Sequence, residues 1–261
     1  MSKRVWELKQ SADGGALELY IYGDVDGERF NWDTYCFEQS DNSAQHFRDE
    51  LAKYPNASEI RVYINSYGGS VFEGTAIYNQ LKRHPAHKVV YVDGFACSIA
   101  SVIAMAGDEV VMPRNTMMMI HNVWLAACGN AAELRKAADD LDTINAAGRE
   151  AYLAKAGEKL SPEKLAEMMD AETWLTAEQC IEYGLADRLA DKDADMSNAA
   201  AVLQKANLSM EQLIRYQQDL AAQLRELVAP APNPAAPAGT PPHEPQGAGS
   251  PEKNDVLSLF A

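Results

Sequence analysis

A chain of 261 residues with a formal net charge of −15 lacks the clustered basic face that nucleic-acid binding needs, so no nucleic-acid partner is expected. It is long enough to bury a sizeable core, and its acidity argues for a soluble, self-repelling surface rather than for any one fold. Four widely spaced cysteines, Cys36, Cys97, Cys128 and Cys180, form no CxxC and have no histidine at ligand spacing. No disulfide framework, metal site or cofactor is therefore expected, and the thiols read as small apolar groups in a reducing compartment.

The first fifteen residues, MSKRVWELKQSADGG, contain no apolar core of a signal peptide. The longest apolar stretch, residues 95–106, is too short to span a bilayer and is interrupted by Ser98 and Ser101. A cytoplasmic protein without a membrane partner is the expectation.

In chain order, ALELYIYGDV alternates Leu17, Leu19 and Ile21 and predicts a strand ending in an Asp-Gly turn. SAQHFRDELAKYP predicts a helix stopped by Pro55. EIRVYINSYGGS is a β-branched strand ending at Gly68 and Gly69. VFEGTAIYNQLKRHP is a helix with Phe72, Ile77 and Leu81 on one face, stopping before Pro85. HKVVYVDGFA predicts a strand and CSIASVIAMAGD a helix closed by Gly107; EVVMP and TMMMIHNVW predict two further strands. A long polar helix is expected from Asn130 to Gly157, then shorter ones over Pro162–Met169 and Ala177–Tyr183. Strand-then-helix order repeated in this way predicts an α/β domain with mainly parallel pairing.

Composition changes near residue 192. SMEQLIRYQQDLAAQLRELV carries Met210, Leu213, Leu220, Leu224 and Leu227 at near-heptad spacing and predicts an amphipathic helix. A Pro/Ala/Gly-rich stretch follows that cannot build a core. The chain finishes on the apolar DVLSLFA, either a frayed end or a docking peptide for a partner groove or sheet edge. The division is 1–191 for the folded domain, 192–228 for a helical extension, 229–253 for a linker and 254–261 for the terminal peptide.

Two corners can carry chemistry. Glycines at the end of a strand expose backbone N–H groups, so Gly68 and Gly69 make either an oxyanion-binding turn or an ordinary tight one. GFACSIASV, residues 94–102, passes from strand through a glycine turn into a helix, where a side chain projects from the sheet top. Ser101 lies a turn into the helix and reads as a buried, satisfied hydroxyl; residue chemistry leaves Cys97 and Ser98 both open as nucleophiles. Of the five histidines, His46, His84, His87 and His243 fall in polar surroundings. His121 ends an apolar strand and is either a satisfied core residue or a positioned base. Asp170 and Glu172, just before Trp174 and Leu175, offer carboxylates to orient it.

RVYINSYGGSVFEGTAIYNQLK, VDGFACSIASVIAMAG, MMMIHNVW and TWLTAEQCIEYGLAD together resemble, in order and spacing, the Clp protease proteolytic subunit family. The likeness runs from about Leu17 to Leu189, and the ETWLTA wording with a tethered tail is most similar to its phage-encoded head maturation (prohead) proteases. The resemblance implies a ClpP/crotonase-type fold of repeated ββα units, homo-oligomeric rings, and metal-free peptide hydrolysis by a Ser-His-Asp/Glu triad. It implies Ser98 as nucleophile, His121 as base, and the amides of Gly69 and Ile99 as oxyanion donors. On this likeness Gly68, Val71 and Asn122 are expected to border the substrate peptide, lying between the 69–71 edge and a 122–124 strand. The helix from about Ala131 to Ala154 corresponds to the handle by which family rings stack. Register favours Glu172 as third member, residue type Asp170; Tyr67 stands where the family has proline, and Ala100 where glycine is common. The substrates implied are capsid or scaffold proteins in a bacterial host's cytoplasm, inside an assembling head. Two rivals stand beside this reading: a crotonase-fold acyl-CoA enzyme, and a non-enzymatic capsid scaffold or adaptor working through the C-terminal tail.

Overall fold

The computed structural model describes residues 6–10, 16–31 and 35–192. The strands are β1 (Trp6–Gln10), β2 (Leu17–Val25), β3 (Glu28–Asn31), β4 (Cys36–Gln39), β5 (Glu59–Gly69), β6 (His87–Cys97), β7 (Glu109–Met112), β8 (Met117–Ile120), β9 (Thr173–Thr176) and β10 (Arg188–Leu189). The helices are α1 (Ala44–Leu51), α2 (Val71–Arg83), α3 (Ile99–Ala104), α4 (Ala131–Ala156), α5 (Pro162–Asp170) and α6 (Ala177–Glu182). Among the described residues the main sheet runs β1-β2-β5-β6-β7-β10, with β8 pairing β6 and β9, while β3 and β4 form a separate hairpin. The α/β expectation of mainly parallel pairing agrees with this mixed sheet; only β1–β2, β8–β9 and the β3–β4 hairpin are antiparallel.

Register is pinned by side chains. Tyr20, Tyr63 and Tyr91 sit opposite one another across β2, β5 and β6, and their rings stack at 4.7 and 5.2 Å between centroids. The same strands send Ile60, Val62, Ile64, Val90 and Val92 into the core against Ile77 and Leu81 of α2. A one-residue slip would turn that whole apolar set outward.

The long strand β6 organises the functional end of the sheet. Its first half pairs with β7 and its second half, Phe95–Cys97, pairs in parallel with Met117–Met119 of β8. Parallel strands end on the same side, so the residues just past β6 and just past β8 become neighbours. Those residues include Ser98 and His121.

Several expectations need correction. The strand expected to run through Trp124 stops at Ile120, and residues 121–130 have no regular structure. The β8–β9 ladder ends at the pair Ile120–Thr173, and the Val123 N–H is taken instead by the Asn145 side chain at 2.7 Å. Phe72 does not share the buried face of α2; it is 75% exposed, and Gly74 takes its place beside Ile77 and Leu81. β6 runs through Cys97, so α3 begins only at Ile99. Strands β1, β3, β4, β9 and β10 add to those the sequence predicts; they are short and without sustained alternation. The amphipathic helix expected over 209–228, the linker and the terminal peptide lie outside the described residues. Among the described residues no helix is long and apolar enough to cross a membrane.

Gly74 is where α2 and α3 meet most closely. A Cβ there would lie 2.1 Å from Ile99 Cγ1, and Ile99 is buried. Alanine normally gains about 1 kcal/mol over glycine in a helix interior. Here the overlap is expected to cost about 1–3 kcal/mol instead, so Gly74→Ala should lower the melting temperature in a thermal scan; a rise would contradict the packing.

Candidate active site

Ser98 occupies the corner between β6 and α3 with φ 54° and ψ −130°. A non-glycine residue at positive φ stores about 1–3 kcal/mol of strain, so the surroundings must hold it there. Its N–H donates to Met119 O at 2.8 Å, which ties the corner to β8. Gly68 (φ +105°) lies directly against it: a Cβ at Gly68 would come within 2.7 Å of Ser98 Cβ and 2.8 Å of Cys97 O. At Gly69 (φ +143°) a Cβ would meet Val25 O at 2.1 Å. Both positions therefore exclude a side chain on conformational and steric grounds.

The Ser98 Oγ and His121 Nε2 atoms are 2.7 Å apart. With the ring proton on Nδ1, the serine O–H donates to Nε2, the arrangement of a nucleophile and its base. Burial holds the His121 pKa below its ordinary value, while the charge of Glu172 pushes it back up. Desolvation is the larger cause, so the imidazole is neutral and able to accept a proton near neutral pH.

The two alternatives left open in GFACSIASV separate by burial. Cys97 is fully buried, and desolvation pushes its thiol up to about 12; a thiol held that way yields no thiolate near neutral pH. Ser101 is also fully buried, with its Oγ against Ser98 O, Met119 O and Tyr152 OH. Of the three, only Ser98 is both part-exposed and bonded to a histidine.

The carboxylates part company as well. In the antiparallel β8–β9 ladder Ile120 faces Thr173, so the next step along each strand sets His121 beside Glu172. Glu172 has φ 47° and acts on His121 through its charge. Asp170, the last residue of α5, instead accepts a hydrogen bond from Asn122 Nδ2 at 2.6 Å. Both carboxylates are exposed, and among the described residues neither is hydrogen-bonded to the imidazole.

The remaining candidates fall around this pair. Gly68 does not offer its own amide, because that N–H donates to Ser66 Oγ at 3.1 Å; its contribution is close packing. Ile99 is the first residue of α3, a position whose N–H has no acceptor within the helix. Val71 opens α2, part-buried against the core. Asn122 has its Oδ1 buried without a partner. Asn145 and Tyr152 were missed: both are buried on α4, two turns apart, and reach toward the 121–123 segment and the Ser98 corner. Their seven-residue spacing on an otherwise polar helix was the available signal. Among the described residues no group of three or more His, Cys, Asp or Glu is disposed to hold a metal.

The family profile described as Clp protease matches residues 37–193, a span containing every one of these candidates. The ATP-dependent Clp protease proteolytic subunit 3 of Rhodococcus jostii is 31% identical over 149 residues, 56% of this chain and 73% of that protein. Proteolytic subunit 1 of Streptomyces avermitilis is 30% identical over 154 residues, covering 58% and 70%. The proteolytic subunit of Chlorella vulgaris is 31% identical over 160 residues, covering 56% and 78%.

Proposed function

The chain belongs to the Clp protease family, and on that premise we propose that it is a serine endopeptidase with Ser98 as nucleophile, His121 as general base and Glu172 as the supporting carboxylate. The observation that carries this reading is the 2.7 Å Ser98–His121 hydrogen bond at a positive-φ corner. His121 takes the hydroxyl proton as Ser98 Oγ attacks the scissile carbonyl carbon. The resulting oxyanion is met by the amides of Gly69 and Ile99. His121 then gives its proton to the leaving amine, the C–N bond breaks and an acyl-serine remains. Water, deprotonated by His121, releases the acid and regenerates the serine. The chain and water supply every group these steps require, so bond cleavage itself proceeds independently of ATP. The peptide lies extended beside the Gly69–Val71 edge and the segment beginning at Asn122, adding main-chain hydrogen bonds.

The finer reading takes the sheet as the ClpP/crotonase arrangement of ββα repeats, spanning 1–191, and the protomer as part of a homo-oligomeric ring. The first half of α4 supports this: its side chains from Ala131 to Ile144 are exposed or half-exposed, with Leu134 44% exposed, as suits a helix that packs on another copy. Phage capsid or scaffold proteins are proposed as substrates, in a host cytoplasm or assembling head, on the ETWLTA wording and the Pro-rich tail.

A fluorophosphonate probe tests the core of this reading. The label is expected on the peptide containing Ser98, and to be lost in Ser98→Ala and nearly lost in His121→Ala. No labelling of the intact protein favours the crotonase-type alternative, which has no nucleophilic serine. A native mass measurement alongside gives the ring size, and a monomer overturns the assembly.

A further inference from the structure

Behind the candidate nucleophile lie two buried hydroxyls that the hydrolytic steps do not use. Ser101 is fully buried and Tyr152, from α4, is 2% exposed. Ser101 Oγ is 2.5 Å from Ser98 O, 3.3 Å from Met119 O and 2.7 Å from Tyr152 OH. A serine hydroxyl has one proton to give. If Ser101 gave it to Tyr152, the phenol proton would have no acceptor among the described residues. The consistent direction is therefore Tyr152 O–H to Ser101 Oγ, and Ser101 O–H to the Ser98 carbonyl. Burial raises the phenol's pKa further, so it stays a donor across the working range.

The carbonyl that receives this chain matters because of where it sits. Ser98 C=O and Ile99 N–H belong to one planar peptide unit and point in opposite directions. Holding the oxygen on the α4 side thus aims the N–H away from α4. The Ser101 N–H adds a second donor to the same oxygen at 2.9 Å. Without them, the strained corner at Ser98 can relax by rotating that plane. On the other side, Ile99 is wedged against Gly74.

We propose that Tyr152 and Ser101 are positioning residues that hold the Ser98–Ile99 peptide plane, and with it the oxyanion-binding amide, in register with the nucleophile. The inference rests on the reading of Ile99 N–H as an oxyanion donor. Its consequence is that a helix otherwise exposed over its first half contributes to transition-state stabilisation without touching substrate.

The test uses the full chain carrying Ser101→Ala, Tyr152→Phe or both, assayed on a fluorogenic peptide amide cleaved by the unsubstituted protein. Ser101→Ala strands the buried phenol and should lower the melting temperature by several degrees. The double variant removes both partners and should recover most of that loss. Turnover should not recover: kcat stays down ~10- to 100-fold, with KM within about twofold. Affinity for a peptide aldehyde, whose tetrahedral adduct needs the same amide, should fall in parallel. A double variant with restored stability and unimpaired kcat overturns the inference, as does a loss confined to KM. Ser98→Ala in the same assay separates the two levels. If it still cleaves, the triad reading falls and takes this one with it; if it is inactive while the double variant is unimpaired, only the positioning role is wrong.

Discussion

Ser98→Ala is expected to lower kcat by about 10⁶-fold, close to 8 kcal/mol of barrier. In the proposed triad the alcohol oxygen is the bond-forming atom, and no neighbour can replace it. Cys97 is fully buried with its thiol pushed up to about 12, and Ser101 is enclosed by its own hydrogen bonds. What survives is the effect of bound peptide and oxyanion amides alone, roughly 10³–10⁴ over water. The fold should be nearly indifferent. Alanine at φ 54° is no more strained than serine, and His121 Nε2 loses one hydrogen bond in a part-exposed site, at a cost of about 1 kcal/mol. Steady-state rates on a peptide substrate and a thermal scan check both halves. Retained cleavage that is sensitive to a thiol reagent would transfer the role to Cys97.

Glu172→Gln has the second largest expected effect, and its pH dependence separates it from Asp170→Asn. Burial depresses the His121 pKa and the Glu172 charge opposes that depression. Removing the charge leaves desolvation unopposed, so the pKa falls further and the acid limb of kcat/KM moves to lower pH. At the plateau, turnover should drop by about 10²-fold because the imidazolium formed in the transition state loses its counter-charge. A carboxylate hydrogen-bonded to the ring is worth about 10⁴. Glu172 is exposed and acts through charge alone, so it contributes less. Asp170→Asn keeps an oxygen to accept from Asn122 Nδ2; it should leave the acid limb in place and turnover within about threefold. A pH–rate profile in which Asp170→Asn moves the limb and Glu172→Gln does not would exchange the two roles.

Both predictions depend on α4 more than the sequence suggests. Asn145 holds the Val123 amide two residues past His121, and Tyr152 reaches the Ser98 corner through Ser101. The helix end carrying them is fixed by Lys155, which bridges to Asp187 at 2.7 Å and to the carbonyls of Gly107 and Asp108. The proposed base and nucleophile thus share one supporting helix, whose contacting residues Asn145 and Tyr152 lie more than twenty positions from either. The polar character of residues 130–157 concealed this, because four buried positions, two of them alanines, barely disturb the pattern of a long solvated helix.

What the sequence determined by itself was the local grammar. Alternation and β-branching over 17–25, 59–69 and 87–97, helical spacing over 71–83 and helix-favouring composition over 131–156 are set by residues within a turn or two of each other. The two glycines, the small-residue corner at 94–102 and a histidine at the end of an apolar strand are equally local, and each was legible. The tertiary structure decided everything that depends on which strands lie side by side. Parallel pairing of β6 with β8 brings Ser98 within hydrogen-bonding distance of His121, and antiparallel pairing of β8 with β9 sets Glu172 rather than Asp170 beside the imidazole. Burial, which separates Cys97 and Ser101 from Ser98, and the hydroxyl chain from Tyr152 are likewise products of packing between segments twenty to fifty residues apart. Propensity and turn chemistry are short-range and additive along the chain; desolvation and donor–acceptor geometry arise only when the chain closes on itself.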